Sequence, residues 1–367
     1  MRRASLLFVF TGLIAFCLTG CDGDSELVNE EERLLIGALL PLTGAGSSPG
    51  ESAQAGLDLA LGEVEAYFRG LSRNVIIEVQ IEDTGTEVGK AQEAYERLRA
   101  AGVRLIIGPY SSTVLAALKP LADRDGIILL SPGSVASSLS VADDEVYRLL
   151  PDVVSQGEAL AALIQDDGIK VLLPIVRDDI WGQELLDATS MGLSGSAIQI
   201  ADDLAYSPSN LEAETFMIEV GAALEILLAD YAPEEIGIYM LSYGEGADLL
   251  REGMELMIPG VRWYGSSGFA ESNTLVDDAA TGAYAQSTML SCPSFGLDPN
   301  ARSKWEPLRV QLEAALGRMP EIFAFTSYDA LWLAVDVLLE VGTKQEEIGA
   351  VLKRRAGSAY GTTGWLV

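Results

Sequence analysis

Apolar runs and amphipathic stretches alternate along almost the whole chain. Residues 34–40 form an unbroken apolar run that reads as a buried strand, and Gln54, Leu57, Leu61 and Val64 recur at the spacing of one helix face. A strand over 74–81, a helix over 88–100, a strand over 104–107, a helix over 113–122 and a strand over 126–130 continue the series. After Pro151 the rhythm restarts with helix 156–165, strand 170–176, helix 181–191, strand 197–200, a long helix over 211–228, strand 236–241, helix 246–256 and strand 261–265. Another strand-like run covers 282–288, and helices follow over 302–316, 325–341 and 345–354. Strands rich in Ile, Val and Leu, separated by helices of about ten or more residues, call for a parallel sheet covered on both faces. One plan run twice predicts an α/β protein of two doubly wound, parallel-sheet lobes with a cleft between them.

The N-terminus breaks the pattern. Met1, Arg2 and Arg3 make a basic head, residues 6–16 are apolar, and Leu18-Thr19-Gly20-Cys21 follows. The apolar stretch is short for a bilayer and an acidic segment succeeds it, so residues 1–20 read as a secretory signal and 21–33 as an acidic linker. Leu-Thr-Gly-Cys resembles the lipobox of bacterial lipoproteins, which implies that Cys21 is lipidated and that the chain is exported and anchored to the membrane. Asp22 resembles an inner-membrane retention signal. Two or more buried acyl chains anchor stably where one does not.

Composition narrows the function. About 347 residues follow the signal, enough for two medium cores. Cys17 leaves with the signal and Cys21 is acylated, so Cys292 stands alone and reads as a small buried hydrophobe. Without Arg2 and Arg3 the formal balance is 22 minus 54, or −32, which excludes nucleic acid and any anionic membrane surface as partner beyond the anchor. The chain has no histidine. That rules out Ser-His-Asp and Cys-His nucleophiles and His-ligated zinc. Gly265-Ser266-Ser267-Gly268 misses the Gly-x-Ser-x-Gly elbow by its spacing. No catalytic residue, cofactor or metal site is expected; only a hydrolase built on two carboxylates about 5 to 9.5 Å apart stays open.

In open α/β sheets a ligand sits beyond the carboxyl ends of the strands. Those ends fall at 41–50, 83–86, 109–113 and 131–138 in the first half, rich in Ser, Thr and Gly, and at 177–181, 242–245 and 266–269 in the second. The glycines at 44, 46 and 50, followed by a helix and by Asp83, mimic a dinucleotide fingerprint. The acid comes 33 residues after Gly50 where about 20 is usual, and Pro41 and Pro49 stiffen the turn.

Taken in order, Ile36-Gly37-Ala38-Leu39-Leu40-Pro41-Leu42-Thr43-Gly44, the 102–109 segment with Tyr110-Ser111-Ser112, the 126–133 segment ending Ser131-Pro132-Gly133, Arg148 with Pro151 and Gln156-Gly157, Asp178-Asp179 with Trp181-Gly182, and Tyr328-Asp329-Ala330 resemble the type I periplasmic substrate-binding proteins of the leucine/isoleucine/valine-binding kind. The resemblance implies two Rossmann-like lobes joined by three crossings, closing on a small-molecule ligand by hinge motion and delivering it to an ABC permease, with no enzymatic activity. It divides the chain into 34–150 plus about 290–355 for the N-terminal lobe and 151–289 plus about 356–367 for the C-terminal lobe. In the family the Gly361 to Gly364 turn leads into a strand that crosses to the second lobe and continues; here the sequence stops at Val367, which predicts either an unpaired edge or a truncated version.

The resemblance also carries ligand contacts. Ser112 matches the serine that holds the ligand carboxylate, with Tyr110, Ser111, Gly133 and Ser134 beside it. The partnering threonine is replaced by Val135, the tyrosine of the second lobe falls at Ser242 with Tyr243 next to it, and the acid that takes the ligand ammonium falls at Ser267. A buried ammonium without a counter-charge costs several kcal/mol; Asp83, Asp178, Asp179 or Glu245 could take it over if they reach the cleft, and otherwise each reads as a solvated loop charge or helix cap. Tyr110, Trp181 and Tyr243 are candidate apolar walls. The expected function is capture of a small polar or amphipathic solute, an amino acid or related metabolite; the alternative is a regulatory or sensor lipoprotein using the fold to bind another protein.

Overall fold

The computed structural model describes residues 32–255, 261–270, 272–342, 344 and 347–366; the signal, Cys21 and most of the acidic linker lie outside them. Strands β1 (Glu32–Leu40), β2 (Val75–Asp83), β3 (Leu105–Ile107), β4 (Ile128–Ser131) and β5 (Val146–Arg148) form one parallel sheet in the order β2-β1-β3-β4-β5. Helices α1 (Ser47–Gly70), α2 (Val88–Ala100) and α3 (Ser112–Asp125) connect them. A second parallel sheet holds β6 (Val171–Arg177), β7 (Gln199–Ile200), β8 (Leu204–Tyr206), β9 (Ile236–Leu241) and β10 (Arg262–Tyr264), in the order β10-β9-β6-β7 with β8 also on β6. Its helices are α4 (Val153–Asp166), α5 (Ile180–Gly192), α6 (Ala213–Leu227), α7 (Gly246–Glu255), α8 (Asn273–Asp277) and α9 (Ala279–Ser287). The chain then returns to the first sheet with α10 (Arg302–Leu316), α11 (Ile322–Val341) and α12 (Ile348–Ala356).

The central strands are apolar on both faces because both faces are covered. Ile36, Ala38 and Leu40 of β1 pack with α1 and α11, while Leu39 packs on the opposite side with α2 and α3. The second sheet repeats this, with Leu173 and Ile175 toward α6 and α7 and Leu172 and Val176 toward α4 and α5. Helix α11 is long and apolar enough to cross a membrane by composition, yet 67% of that window is buried as the core helix of the first lobe.

Three sequence expectations change. Residues 282–288 lie in helix α9, whose first turn is capped by the Asp278 carboxylate accepting from Ala280 and Thr281 N–H. Strands β5 and β8, three residues each, are additions that the pattern did not show. Residues 356–367, assigned to the second lobe by resemblance, lie as far as they are described against the first: Asp329 of α11 accepts four hydrogen bonds from the amides and hydroxyls of Thr362 and Thr363, and Leu366 joins the core of β1, α1 and α11.

Candidate solute-binding cleft

The carboxyl ends of the two sheets face each other across a small cavity, as expected for open α/β sheets. The first lobe supplies Pro41, Gly46 and Pro49 beyond β1, Thr86 beyond β2, Tyr110, Ser111 and Ser112 beyond β3, and Gly133 and Val135 beyond β4. The second supplies Trp181 beyond β6, Tyr243 beyond β9, and Ser267 and Gly268 beyond β10; Phe295 and Phe323 complete the wall. The space between them is on the scale of a few waters or one small molecule.

Of the residues singled out in the sequence, Tyr110, Ser111, Ser112, Gly133, Tyr243 and Ser267 line this cavity. Ser134 stands behind it, its hydroxyl 2.9 Å from that of Ser112. The Ser112 hydroxyl also accepts from the Val135 and Ala136 N–H groups at 3.3 and 3.2 Å, so it braces the loop after β4. Ser267 is held by Gln156, whose Nε2 donates to its hydroxyl at 2.7 Å. Ser242, where the resemblance expected a ligand-binding tyrosine, is fully buried and does not line the cavity.

Aromatic packing shapes the walls. The Tyr110 ring meets Phe323 edge-on, centroids 5.8 Å apart, and its hydroxyl bonds Ser327. Trp181 and Tyr243 lie against each other with centroids 4.6 Å apart and planes inclined by 32°. The Ser111 side chain of the opposite lobe draws the Tyr243 phenol down, against the larger effect of burial. Burial pushes the phenols of Tyr110 and Tyr243 well above their ordinary value, so both remain neutral. Gly268 gives Tyr243 its room, because a Cβ there would stand 2.4 Å from the ring.

No charged side chain lines the cavity among the described residues. The acids proposed as ammonium partners are engaged elsewhere: Asp83 with Thr43 and the Gly85 N–H, Asp179 with Arg177 and the Gly182 N–H, and Glu245 with Arg177 and Tyr206, while Asp178 is exposed. Thr86 lies in the 83–86 strand-end loop without having been singled out, and sequence reasoning missed Phe295 and Phe323. Both lie outside the strand-end loops, in segments with no motif.

The profile of the family described as "Periplasmic binding protein" matches residues 34–353. An uncharacterised protein of Methanocaldococcus jannaschii is 23% identical over 345 residues, covering 86% of this chain and 76% of that one. Among solved structures, the branched-chain amino acid transporter substrate-binding protein LivJ of Streptococcus pneumoniae, in complex with isoleucine, is similar with a TM-score of 0.71, 18% identity and 91% of each chain covered. A solute-binding protein of an ABC transporter from R. palustris, in complex with benzoate, gives 0.71 at 20% identity, covering 90% of this chain and 88% of that one. The family profile spans most of the sequence and the neighbours share the two-lobed architecture, so the chain belongs to the periplasmic binding proteins and has the type I fold of the Leu/Ile/Val-binding kind.

Proposed function

We propose that this protein captures, between its lobes, a small solute with an apolar or aromatic body and no free ammonium, and hands it to a membrane permease outside the cytosol, tethered through lipid on Cys21. The observation that carries this reading is a cavity walled by Tyr110, Trp181, Tyr243, Phe295 and Phe323 with no charged side chain on it among the described residues. A zwitterionic amino acid needs a counter-charge for its ammonium, and desolvating that group unpaired costs several kcal/mol. A carboxylate or neutral polar group has a gentler requirement, because the Ser111 and Ser267 hydroxyls and the amides at the start of α3 can donate to it. The benzoate complex of the R. palustris protein supports such a ligand, as the isoleucine complex of LivJ supports the amino-acid alternative. A regulatory or sensor protein that uses the fold to bind another protein would be favoured by an open cleft lacking convergent polar groups; the hydroxyls of Ser111 and Ser267 on this cavity weigh toward a solute.

Calorimetry and thermal unfolding with benzoate, benzamide, leucine and isoleucine test the reading. Benzoate or benzamide should stabilise the protein as RT ln(1 + [L]/Kd), about 2.7 kcal/mol at a hundredfold excess over Kd. Leucine and isoleucine should bind at least about tenfold more weakly, the equivalent of about 1.4 kcal/mol. Tight leucine binding with no response to benzoate would reverse the assignment.

A further inference from the structure

A charged cluster stands directly behind the aromatic wall, and none of its members lines the cavity. Arg177 ends β6 with 5% of its surface exposed. Its Nε donates to Asp179 at 2.6 Å and its Nη1 to Glu245 at 2.5 Å, while the guanidinium carbon lies 4.5 Å from the centre of the Tyr243 ring. The same Glu245 oxygen accepts from the Tyr206 hydroxyl at 2.9 Å and from the Tyr243 N–H at 3.3 Å. Asp179 in turn caps α5 through the Gly182 N–H at 3.0 Å, which fixes the turn bearing Trp181. Two carboxylates against one guanidinium leave a formal charge of −1 in a nearly dry place, an arrangement that well-packed apolar residues often equal or exceed in stability. Its geometry converges on one pair of rings. Arg177 covers Tyr243 directly and reaches Trp181 through Asp179.

We infer that Arg177 is a positioning residue for solute capture: it fixes the Tyr243 ring, and with it the Trp181 stack, so that the wall is preformed across the cavity from Ser111. A planar guanidinium suits this task because it lies over an aromatic face while its edge holds two carboxylates, which an ammonium cannot do. The inference rests on the cleft being the solute site, but its first consequence needs no solute. Two rings 4.6 Å apart should give an exciton feature in near-ultraviolet circular dichroism, assigned by its loss in Tyr243→Leu.

The test compares Arg177→Gln, Arg177→Lys, Glu245→Gln, Tyr243→Leu and the double variant Arg177→Gln with Tyr243→Leu. Arg177→Gln should lose the exciton feature with unchanged far-ultraviolet spectra, and should bind benzoate about tenfold more weakly, with Arg177→Lys intermediate. In the Tyr243→Leu background Arg177→Gln should weaken binding no further, since both act through one ring. If Arg177→Gln does not fold, Arg177→Lys and Glu245→Gln carry the same readouts. An intact exciton feature with wild-type affinity, or losses that simply add, would overturn the positioning role. Should wild type bind no compound of the panel, the solute reading falls while the exciton comparison still decides whether Arg177 sets the rings.

Discussion

Ser112 shows how one replaced neighbour changes a side chain's task. By resemblance it is the carboxylate-holding serine, paired with a threonine that is Val135 here. Val135 turns into the core beside Leu150, Trp181 and Ile322, and the Ser112 hydroxyl, facing cavity and loop at once, accepts from the amides of Val135 and Ala136. Ser112→Ala would strip an acceptor from two buried N–H groups. It is expected to destabilise the protein by about 1–3 kcal/mol in urea unfolding, with benzoate affinity falling by less than about tenfold. A collapse of affinity at unchanged stability would make Ser112 a direct ligand contact instead. Cys292 is plainer: burial pushes its thiol up to about 12, the behaviour of a packing residue rather than a nucleophile.

Elements were legible in the sequence where burial is two-sided. β1, β6 and β9 are continuous apolar runs with no other plausible home, so the sheets and their helices followed. Segments whose state is set by tertiary partners were not legible. Residues 282–288, Gly-Ala-Tyr-Ala-Gln-Ser-Thr, carry no helical stripe; α9 forms because Asp278 caps it and Thr281 and Ala285 find a core to enter. β5 and β8 are too short for any period to show and exist through their neighbours β4 and β6. The wall supplied by Phe295 and Phe323 was hidden for the same reason, whereas Tyr110 to Ser112 and Tyr243 sit at strand ends that topology alone locates. The final turn is another tertiary product. Gly361 fits there because a Cβ would stand 2.4 Å from the Asp329 carboxylate, which gathers the Thr362 and Thr363 donors. Asp329→Ala leaves four donors of that turn without their acceptor and should cost about 2–4 kcal/mol in equilibrium unfolding, and Gly361→Ala should lose stability by the same route. If Asp329→Ala unfolds like wild type, the turn does not depend on this carboxylate.

The two lobes touch through a small number of directional contacts around the cavity. The Gly244 N–H donates to the Ala45 carbonyl at 3.1 Å, the Asn273 N–H to the Ser48 hydroxyl at 3.1 Å, and Ser48 passes its own proton toward buried Glu321. On the far side, Glu184 of α5 accepts from the Ser137 and Ser138 N–H groups at 2.5 and 3.3 Å, while Arg148 secures the same loop through the Ala136 carbonyl and the Ser140 hydroxyl. If the lobes part by a hinge, the bonds that cross between them, Gly244 to Ala45, Asn273 to Ser48 and Ser137 and Ser138 to Glu184, exist only in the closed state and bias the population toward it without touching the solute. Glu184→Ala removes an anionic acceptor from two amides that water can serve once the lobes are open, so the penalty falls on closure. Benzoate affinity should drop about three- to tenfold, through faster release rather than slower capture. Stopped-flow release rates and the radius of gyration at saturating benzoate check this together: a rise in release rate with a more open average shape is expected. Unchanged release with unchanged scattering would mean that α5 and the 136–140 loop move as one body, placing the hinge between other elements.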